Sequence, residues 1–373
     1  MTETEAEADL TVHELQIETI PDRDTWRGPL LEVRGLSVSF PTDDGLVRAV
    51  DNLSFVLQDD EVMGIVGESG SGKTVTSLAI LGLLPKSAQI SGEILFCGRN
   101  ILGLSERALT PIRGNRIAMV FQDALAGLNP VMTVGWQIGE AVSVHQELDK
   151  SELADRVVEL LGLVGIPNPR ERADQYPHEY SGGMRQRAMI AMSIANDPDV
   201  LIADEPTTAL DVTIQAQVLD VLERVAEKTR SSILLITHDL GVVAGVADRV
   251  MVMYAGREAE LGTVEDVFYK PSHPYTQGLL ASLPRIDRRD SERLHRIVGQ
   301  PPSLIHVPSG CPFHPRCPEA EVPGVCVDER PRLIELAVHH LSACHFAERL
   351  YEGTAGIAVP ASDVPRDDEQ AGP

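Results

Sequence analysis

The sequence predicts an α/β fold followed by a loop-rich module at the C-terminus. Short apolar runs alternate with helical patterns along most of the 373 residues, and several runs are apolar at every position, as strands covered on both faces must be. One of these runs leads into a glycine-rich loop and then a helical pattern, which is typical of a phosphate site. After about residue 267 proline becomes frequent and periodicity weakens, which indicates a separate module.

The pattern predicts seven strands and one helical insertion. The strands are expected at residues 31–40, 53–57, 62–66, 117–121, 200–203, 233–237 and 249–254. The strand signal disappears from residue 133 to about residue 195. Within that stretch, apolar side chains share one helical face behind a capping box of Asp149 and Glu152. A helical subdomain at about 124–195 therefore divides the α/β core.

Composition disfavours several functions. Asp and Glu number 56 against 32 Lys and Arg, for a formal net charge of −24, so the basic surface that nucleic acid requires is missing. No run of about eighteen apolar residues could cross a bilayer, and the acidic start does not resemble a secretory signal. We therefore expect a cytosolic chain, in which clustered cysteines indicate metal more than disulfides. The polar ends, residues 1–28 and 351–373, are predicted to be disordered.

The glycine-rich loop matches G-x-x-x-x-G-K-[ST] at residues 67–74. Small residues allow successive backbone N–H groups to surround a phosphate, Lys73 reaches the β- and γ-phosphate oxygens, and Thr74 ligates Mg²⁺. The alternative is a strand-to-helix turn that is merely rich in glycine. The apolar strand before the loop and the helical pattern after it disfavour that alternative. The residues expected to bind ATP here are Gly67, Glu68, Ser69, Gly70, Ser71, Gly72, Lys73, Thr74 and Val75.

A phosphate loop needs an acid for its metal, and "DVLIADEP" supplies two. The apolar run forms a buried strand that places Asp204 and Glu205 at its end. We expect Asp204 to hold Mg²⁺ through water and Glu205 to act as general base on the attacking water. The alternative is that these two adjacent acids belong to an ordinary solvated turn at the end of a strand. The presence of a phosphate loop in the same chain disfavours that alternative.

A second anion site is predicted in "EYSGGMRQR". Ser181, Gly182 and Gly183 begin a helical pattern, so their N–H groups are suited to a phosphate. A chain with one phosphate loop has no internal use for another. The second site is useful if it covers a nucleotide that a different subunit holds.

These motifs, in this order and spacing, closely resemble the ATP-binding subunits of ABC transporters over residues 31–261. The matching positions are the Walker A loop at 67–74, the Q-loop glutamine Gln122, the signature beginning at Ser181, the Walker B acids Asp204 and Glu205, the D-loop ending at Asp211, and the switch histidine His238. The resemblance implies a RecA-like core with an antiparallel β subdomain. It also implies a head-to-tail dimer, with each ATP between one P-loop and the partner's signature.

The resemblance further implies roles for three residues. Gln122 would bind Mg²⁺ and link it to the helical insertion, which touches the membrane subunit, and His238 would contact the γ-phosphate. Phe40 would stack on adenine, with core packing as the open alternative. The signature departs from the common L-S-G-G-Q form at Tyr180 and Met184.

The C-terminal part resembles the extension of oligopeptide and dipeptide importer ATPases, through "SHPYTQGLLASLPR", "VGQPPSL" and "GCPFHPRCPEA". We expect an ATPase domain at 29–266 and the extension at 267–350. The "SGGMRQR" variant is similar to that of the D-type subunit, which pairs with a related F-type subunit. This implies a peripheral protein on the cytoplasmic face of the membrane that drives two permease subunits supplied by an extracytoplasmic peptide-binding protein.

Other functions stay open at this point. Relatives with the same extension import nickel, glutathione or other peptide-like solutes. A soluble ABC ATPase acting on ribosomes or DNA is a further alternative, disfavoured because the chain has neither a second ATPase unit nor basic arms. An exporter ATPase is disfavoured by the importer extension.

Four cysteines cluster in the extension. Cys311, Cys317, Cys326 and Cys344 are separated by five, eight and seventeen residues, with prolines between them. Structural zinc usually uses closer pairs, so we expect a [4Fe–4S] cluster, as some peptide-importer subunits with this pattern carry, and keep zinc and free thiols as alternatives. His314 or His345 could replace one cysteine. Cys97, in "EILFCGRN", is interpreted as a buried hydrophobic residue.

Overall fold

A computed structural model of the chain describes residues 20–123, 127–208, 210–283 and 296–353. Its strands, in chain order, are β1 (Leu31–Thr42), β2 (Gly45–Leu57), β3 (Val62–Val66), β4 (Gln89–Phe96), β5 (Arg99–Asn100), β6 (Ile117–Val120), β7 (Val200–Asp204), β8 (Ser232–Thr237), β9 (Arg249–Tyr254), β10 (Arg257–Thr263), β11 (Ile334–Ala337) and β12 (His340–Ser342).

The described helices lie between and after these strands. They are α1 (Lys73–Ile80), α2 (Glu106–Leu109), α3 (Val134–Ser143), α4 (Lys150–Leu163), α5 (Pro169–Ala173), α6 (Gly182–Ser193), α7 (Val212–Thr229), α8 (Leu240–Ala244), α9 (Val264–Tyr269), α10 (Pro274–Ala281), α11 (Val325–Asp328) and α12 (Ala347–Gly353). Short 3₁₀ turns occur at Pro177–Glu179 and His314–Arg316. None of these helices is both long enough and apolar enough to cross a membrane.

The strands form two sheets. An antiparallel sheet has the order β2-β1-β4-β5, and a larger sheet has the order β11-β12-β10-β9-β3-β8-β7-β6. In the larger sheet β9, β3, β8, β7 and β6 are parallel, whereas β10, β12 and β11 pair antiparallel. The predicted α/β core, with its antiparallel subdomain, is therefore present.

The parallel strands are buried on both faces. In β7, Val200 and Ile202 pack with the antiparallel sheet and α1, whereas Leu201 and Ala203 pack with the helices of the opposite face. Successive side chains of a strand point to opposite sides, so an all-apolar run satisfies both layers. Because parallel strands end at one sheet edge, the chain segments that follow β3, β7 and β8 meet there.

The predicted helical subdomain contains α3, α4, α5 and α6. Its capping box is confirmed: Asp149 accepts from the backbone N–H of Glu152 at 2.9 Å, and Glu152 Oε2 accepts from the Asp149 N–H at 2.9 Å. Val157, Leu160 and Leu161 of α4 are buried. Residues 124–126, where the subdomain was predicted to begin, lie outside the described residues.

Strands occur at all seven predicted places, but β4, β5, β10, β11 and β12 were missed and β2 begins earlier than expected. The missed strands are polar. The first five residues of β4, "QISGE", are exposed or half-buried, and β10 carries Glu258 and Glu260. A criterion based on apolar runs finds strands that are apolar throughout and misses strands that carry polar side chains.

The predicted disorder of residues 1–28 and 351–373 needs correction at its boundaries. Residues 1–19 and 354–373 lie outside the described residues, but residues 20–28 pack against the core. Arg23, 8% exposed, pairs with Asp59 at 2.5 Å and Asp60 at 2.7 Å. Residues 351–353 belong to α12. This ion pair and the packing of Ile20 and Trp26 against the core hold a segment that composition alone marks as polar.

The C-terminal extension is continuous with the ATPase sheet, in contrast to the separate module that we predicted. Strand β12 pairs with β10, and β11 pairs with β12. Glu260 of β10 is fully buried, and its carboxylate accepts from His340 Nε2 at 2.8 Å and from the backbone N–H of Ser272 at 2.7 Å. Buried charge is tolerated only when paired, so this contact requires both parts of the chain.

Candidate active site

The phosphate loop connects β3 to α1 and requires glycine at both ends. A Cβ on Gly67 would lie 2.3 Å from the carbonyl oxygen of Met253. Gly72 has φ +102°, and a Cβ there would lie 2.4 Å from the Ala49 carbonyl oxygen. No side chain caps α1 at Gly72, so the N–H groups of its first turn are available to an anion.

Lys73 is folded back onto the loop. Its side chain is buried, and Nζ donates to the carbonyl oxygens of Gly67 at 2.7 Å and Glu68 at 3.1 Å. Burial lowers the pKa of Lys73, and the negative charges of Glu205 and Asp204 act in the opposite direction. Ser71 Oγ is also buried, without a hydrogen-bond partner in the part of the chain that the structure describes. A bound phosphate would supply partners for both groups.

The predicted magnesium ligands Thr74 and Asp204 lie side by side. Thr74 Oγ1 donates to Asp204 Oδ1 over 3.2 Å. Asp204 is 2% exposed, and burial raises its pKa. Mg²⁺ prefers oxygen ligands and would offset the charge of this buried carboxylate, so these residues fit the ion.

Three side chains converge on one oxygen of Glu205. Its Oε2 accepts from Gln122 Nε2 at 3.1 Å and from Thr208 Oγ1 at 2.8 Å, and His238 Nδ1 lies 3.3 Å away. Glu205 has φ +47°, a left-handed backbone conformation that is unfavourable for a residue other than glycine. The structure thus brings together the three residues predicted to be catalytic: Glu205, Gln122 and His238.

Thr208 was not predicted. It lies three residues after Glu205, within the turn that follows β7, and its hydroxyl restrains the carboxylate. The only signal in the sequence was the pair of threonines in "DEPTTALD". Threonine is common in turns, where its hydroxyl forms local hydrogen bonds with the backbone, so the signal was not specific.

The signature and the D-loop meet at Ile214. Ser181 caps α6 by accepting from the Met184 N–H at 3.3 Å, and Ser181 and Gly182 are exposed. Gly183 is buried, and a Cβ there would lie 2.7 Å from Ile214 Cγ2. Asp211 caps α7 and accepts from the Ile214 N–H at 3.0 Å. Among the described residues, no hydrogen bond joins this signature to the phosphate loop of the same chain.

The remaining predicted nucleotide contacts are less enclosed. Phe40 and Val75 are half-buried and pack against the core of the antiparallel sheet. Ser69 and Gly70 are exposed at the tip of the loop. Phe40 therefore contributes to the core, and its predicted stacking on adenine stays a prediction.

Comparison with known proteins agrees with this geometry. The family model for "ABC transporter" matches residues 50–208, and that for "Oligopeptide/dipeptide transporter, C-terminal region" matches residues 259–323. The chain is 55% identical to the dipeptide transport ATP-binding protein DppD of Bacillus subtilis, over 79% of this chain and 88% of that one. It is 47% identical to the oligopeptide transport ATP-binding protein OppD of Escherichia coli, over 88% and 97%. The chain belongs to the ATP-binding subunits of oligopeptide/dipeptide ABC importers.

Solved structures agree with the fold of this importer subunit. A dimeric bacterial ABC transporter cassette superposes with a TM-score of 0.57 at 24% identity, covering 63% of this chain and 98% of that one. The cbiO1 protein of Clostridium perfringens, part of the cbiONQ ABC transporter complex, gives 0.57 at 29% identity, covering 65% and 91%. The first likeness concerns the fold alone. The importer subunit is an ATPase.

The four cysteines of the importer subunit do not form a ready metal site. Cys311 and Cys326 are buried, and the Cys311 N–H donates to the Cys326 carbonyl oxygen at 2.9 Å. Burial raises the pKa of Cys317 to about 12, and the neighbouring sulfurs of Cys344, Cys311 and Cys326 add to that rise. Within residues 296–353 and the other described ranges, no three His, Cys, Asp or Glu side chains are arranged to hold a metal. The structure does not support a preformed cluster site.

The histidines considered as substitute ligands are engaged elsewhere. His314 Nδ1 lies 2.9 Å from the Cys311 carbonyl oxygen, and His345 Nε2 lies 2.9 Å from that of Glu329. Cys97 is fully buried, and burial raises its pKa to about 11, which confirms its interpretation as a small hydrophobic residue.

Proposed function

We propose that this subunit hydrolyses ATP at an interface with a second, related ATPase subunit and thereby drives peptide import through two permease subunits. The observation that carries the proposal is the convergence of Gln122, Thr208 and His238 on Glu205, at the sheet edge that also carries the phosphate loop. A carboxylate held in this way is suited to accept a proton from water.

Hydrolysis would proceed with the residues in these roles. The loop N–H groups bind the phosphates, and Lys73 exchanges its carbonyl partners for β- and γ-phosphate oxygens. Thr74, Asp204 and Gln122 would hold Mg²⁺, which neutralises phosphate charge when bound. Glu205 accepts the proton as the water oxygen bonds to the γ-phosphorus, and the bond to the ADP oxygen breaks with its electrons going to ADP. His238 contacts the γ-phosphate.

A second subunit is proposed because the signature is presented outward. Ser181 and Gly182 are exposed at the N-terminus of α6, a twelve-residue helix whose first N–H groups can bind phosphate. In a head-to-tail dimer this signature covers the partner's ATP. Asp211 lies close to the signature, because it accepts from the N–H of Ile214, whose side chain lies next to Gly183.

Permease contact is proposed for the helical subdomain. Large apolar side chains are exposed there and beside Gln122: Phe121 at 44%, Val131 at 72%, Met132 at 36%, Trp136 at 49% and Tyr176 at 40%. The N–H of Val134 donates to the Gln175 carbonyl oxygen at 2.9 Å, which brings the Tyr176 segment beside α3. An exposed apolar surface of this kind marks an interaction site.

The setting that we propose is the cytoplasmic face of the membrane, where the subunit binds peripherally. A peptide-binding protein outside the membrane would deliver substrate to the permease. Two of the relatives are named for dipeptide and oligopeptide transport, which supports peptides as the solute class.

Co-purification tests these partners. The tagged full chain is recovered from detergent-solubilised membranes, where we expect a second ATPase subunit and two multispanning proteins. Trp136→Gln should lose the multispanning proteins, whereas Val338→Gln, at another exposed apolar residue between β11 and β12, should retain them. Recovery of ribosomal proteins in place of membrane proteins would reject the proposal.

A separate proposal concerns the C-terminal cysteines: that Cys311, Cys317, Cys326 and Cys344 take up a [4Fe–4S] cluster, with zinc as the alternative. The hydrogen bond from the Cys311 N–H to the Cys326 carbonyl oxygen at 2.9 Å supports it, because it brings two of the four cysteines side by side. Binding requires these side chains to reorient and lose their protons.

Metal analysis decides between the outcomes. Protein purified without oxygen should contain about four iron and four sulfide per chain if the cluster forms. Cys317→Ser and Cys326→Ser should lose them, and Cys97→Ser, which alters a buried cysteine outside the module, should not. Zinc alone or no metal would reject the cluster.

A further inference from the structure

The second residue of the phosphate loop is held by the C-terminal extension. Arg316 Nη1 donates to Glu68 Oε2 at 2.6 Å, and Nη2 donates to Oε1 at 3.0 Å. The Arg316 side chain is 5% exposed and that of Glu68 is 27% exposed. A bidentate arginine–carboxylate pair of this kind fixes both distance and orientation.

The extension also holds the backbone of Glu68. Its N–H donates to the hydroxyl of Tyr275 at 2.9 Å, and Tyr275 is fully buried in α10. Glu68 is therefore restrained at its side chain and at its backbone by residues that lie beyond the predicted ATPase domain. Ser69 and Gly70, which follow it, are exposed.

Arg316 is itself held in place by other residues of the protein. Its Nε donates to the Val298 carbonyl oxygen at 3.2 Å, and Nη1 also reaches the Tyr254 hydroxyl at 3.3 Å. Its guanidinium lies 5.8 Å from the ring centre of Tyr254 and 6.0 Å from that of Phe313. The rings of Tyr254, Tyr275 and Phe313 pack together with centres 4.7 to 5.4 Å apart. This packing leaves the arginine little freedom.

We infer that Arg316 is a positioning residue for ATP binding, and that the C-terminal extension is part of the nucleotide site through its contact with Glu68. The inference rests on the proposed role of residues 67–74 as the phosphate loop. Arg316 acts through Glu68 and need not touch the nucleotide. It holds the loop in the shape that surrounds a phosphate.

The pair has an electrostatic role as well. A carboxylate in a phosphate loop repels a polyanionic ligand, and the guanidinium of Arg316 neutralises that charge at hydrogen-bond distance. Removal of Arg316 would leave the Glu68 charge uncompensated beside the phosphates. Replacement of both side chains would abolish the repulsion and remove only the restraint on the loop. The effects of the two substitutions on MgADP affinity should therefore not be additive.

The test measures MgADP affinity of the full-length chain by calorimetry, since ADP is not hydrolysed. Arg316→Met should weaken binding about tenfold. Arg316→Lys, which keeps the charge but not the bidentate geometry, should fall between Met and the unchanged chain. Arg316→Met combined with Glu68→Gln should bind more tightly than Arg316→Met alone.

The matched control lies in the same extension. Arg349 pairs with Glu319 at 2.9 Å, and both side chains are exposed. Arg349→Met removes an arginine–glutamate pair without touching the phosphate loop, so MgADP affinity should not change. In the assembled importer, Arg316→Met should raise KM for ATP while leaving kcat within about twofold, because the loop acts on binding.

Two results would overturn the inference. If Arg316→Met lowers the melting temperature but leaves MgADP affinity unchanged, the ion pair only stabilises the fold. If the double variant binds no better than Arg316→Met alone, Glu68 is not the group through which Arg316 acts. Lys73→Ala distinguishes a failure of this inference from a failure of the proposed function. Unchanged MgADP affinity in Lys73→Ala would reject the assignment of residues 67–74 as the phosphate loop.

Discussion

Gln122 Nε2 donates a hydrogen bond to Glu205 Oε2 over 3.1 Å. Gln122 lies just after β6, where the chain leaves the parallel sheet for the helical subdomain, and its neighbour Phe121 is exposed. A displacement of this segment therefore changes a contact of the carboxylate directly. The contact provides a short physical connection between the surface proposed to bind the permease and the proposed base.

Glu205→Gln should slow ATP hydrolysis by about 10² to 10⁴-fold, because an amide cannot accept the proton from water. MgADP affinity should persist, since the phosphate loop is unchanged. The measurements are phosphate release by the assembled importer and calorimetry on the chain. Glu223→Gln, an exposed carboxylate on α7, is the control. Normal turnover in Glu205→Gln would assign the proton to another group.

The two signature glycines should respond differently to alanine. Gly183→Ala places a methyl group 2.7 Å from Ile214 Cγ2 and should destabilise the fold by about 1 to 3 kcal/mol. Gly182→Ala meets nothing within 4 Å and should leave stability unchanged or slightly higher. Urea unfolding of both variants measures the difference. Equal unfolding midpoints would show that Ile214 moves aside at no cost.

Gly182→Ala also tests the dimer. If Gly182 faces the partner's nucleotide, the added methyl group should reduce hydrolysis by the assembled importer even though the subunit is as stable as before. An unchanged rate would remove Gly182 from the proposed interface.

Alanine at the phosphate loop separates backbone strain from steric conflict. Gly70 and Gly72 both have positive φ, +81° and +102°. Gly70→Ala should cost about 1 to 2 kcal/mol from backbone strain. Gly72→Ala should cost more, because its Cβ would lie 2.4 Å from the Ala49 carbonyl oxygen, whereas Gly70 has open space. Denaturant unfolding ranks the two variants, and an equal loss would mean that the Ala49 strand yields.

Stability should fall in mild acid because of His273. This ring is 3% exposed, and its Nδ1 accepts from the Tyr275 N–H at 3.0 Å, so it must stay neutral. Burial lowers its pKa to about 4, against 6.5 for an ordinary histidine. The unfolded chain therefore binds a proton first as pH falls. The contribution of the neutral His273 ring to the free energy of unfolding is therefore complete above pH 6.5 and is lost as pH falls towards 4.

The expected loss from His273 is about 2 kcal/mol between pH 7.5 and 5. Urea unfolding at the two pH values measures it, and His273→Asn should reduce the pH dependence by that amount. His339→Asn, at an exposed histidine, should keep the full dependence. An unaltered slope in His273→Asn would place the acid sensitivity in other groups.

The central strands and the nucleotide motifs were predictable because their signals are local. A parallel strand buried on both faces is apolar throughout, as β7 is, and a phosphate loop needs glycine at fixed spacing. Strands β4, β5, β10, β11 and β12 were missed because they carry polar side chains. Strand β10 carries Glu260, whose burial makes sense only once His340 and Ser272 are beside it.

Contacts between distant parts of the chain were not predictable. Arg316 and Glu68 are 248 residues apart in sequence, and neither residue type is unusual in its own segment. The cysteine spacing suggested a cluster, but spacing does not determine where four sulfurs point. Among the described residues, no three His, Cys, Asp or Glu side chains are arranged to hold a metal.

The sequence by itself determined the ATPase motifs, the parallel core and the importer family, since each depends on residues close together along the chain. The tertiary structure decided which side chains reach Glu205, that the C-terminal extension continues the main sheet, and that this extension holds the phosphate loop through Arg316. The physical reason is that hydrophobic periodicity and backbone geometry act locally. Buried ion pairs and hydrogen bonds instead depend on where packing places groups that are far apart in the chain.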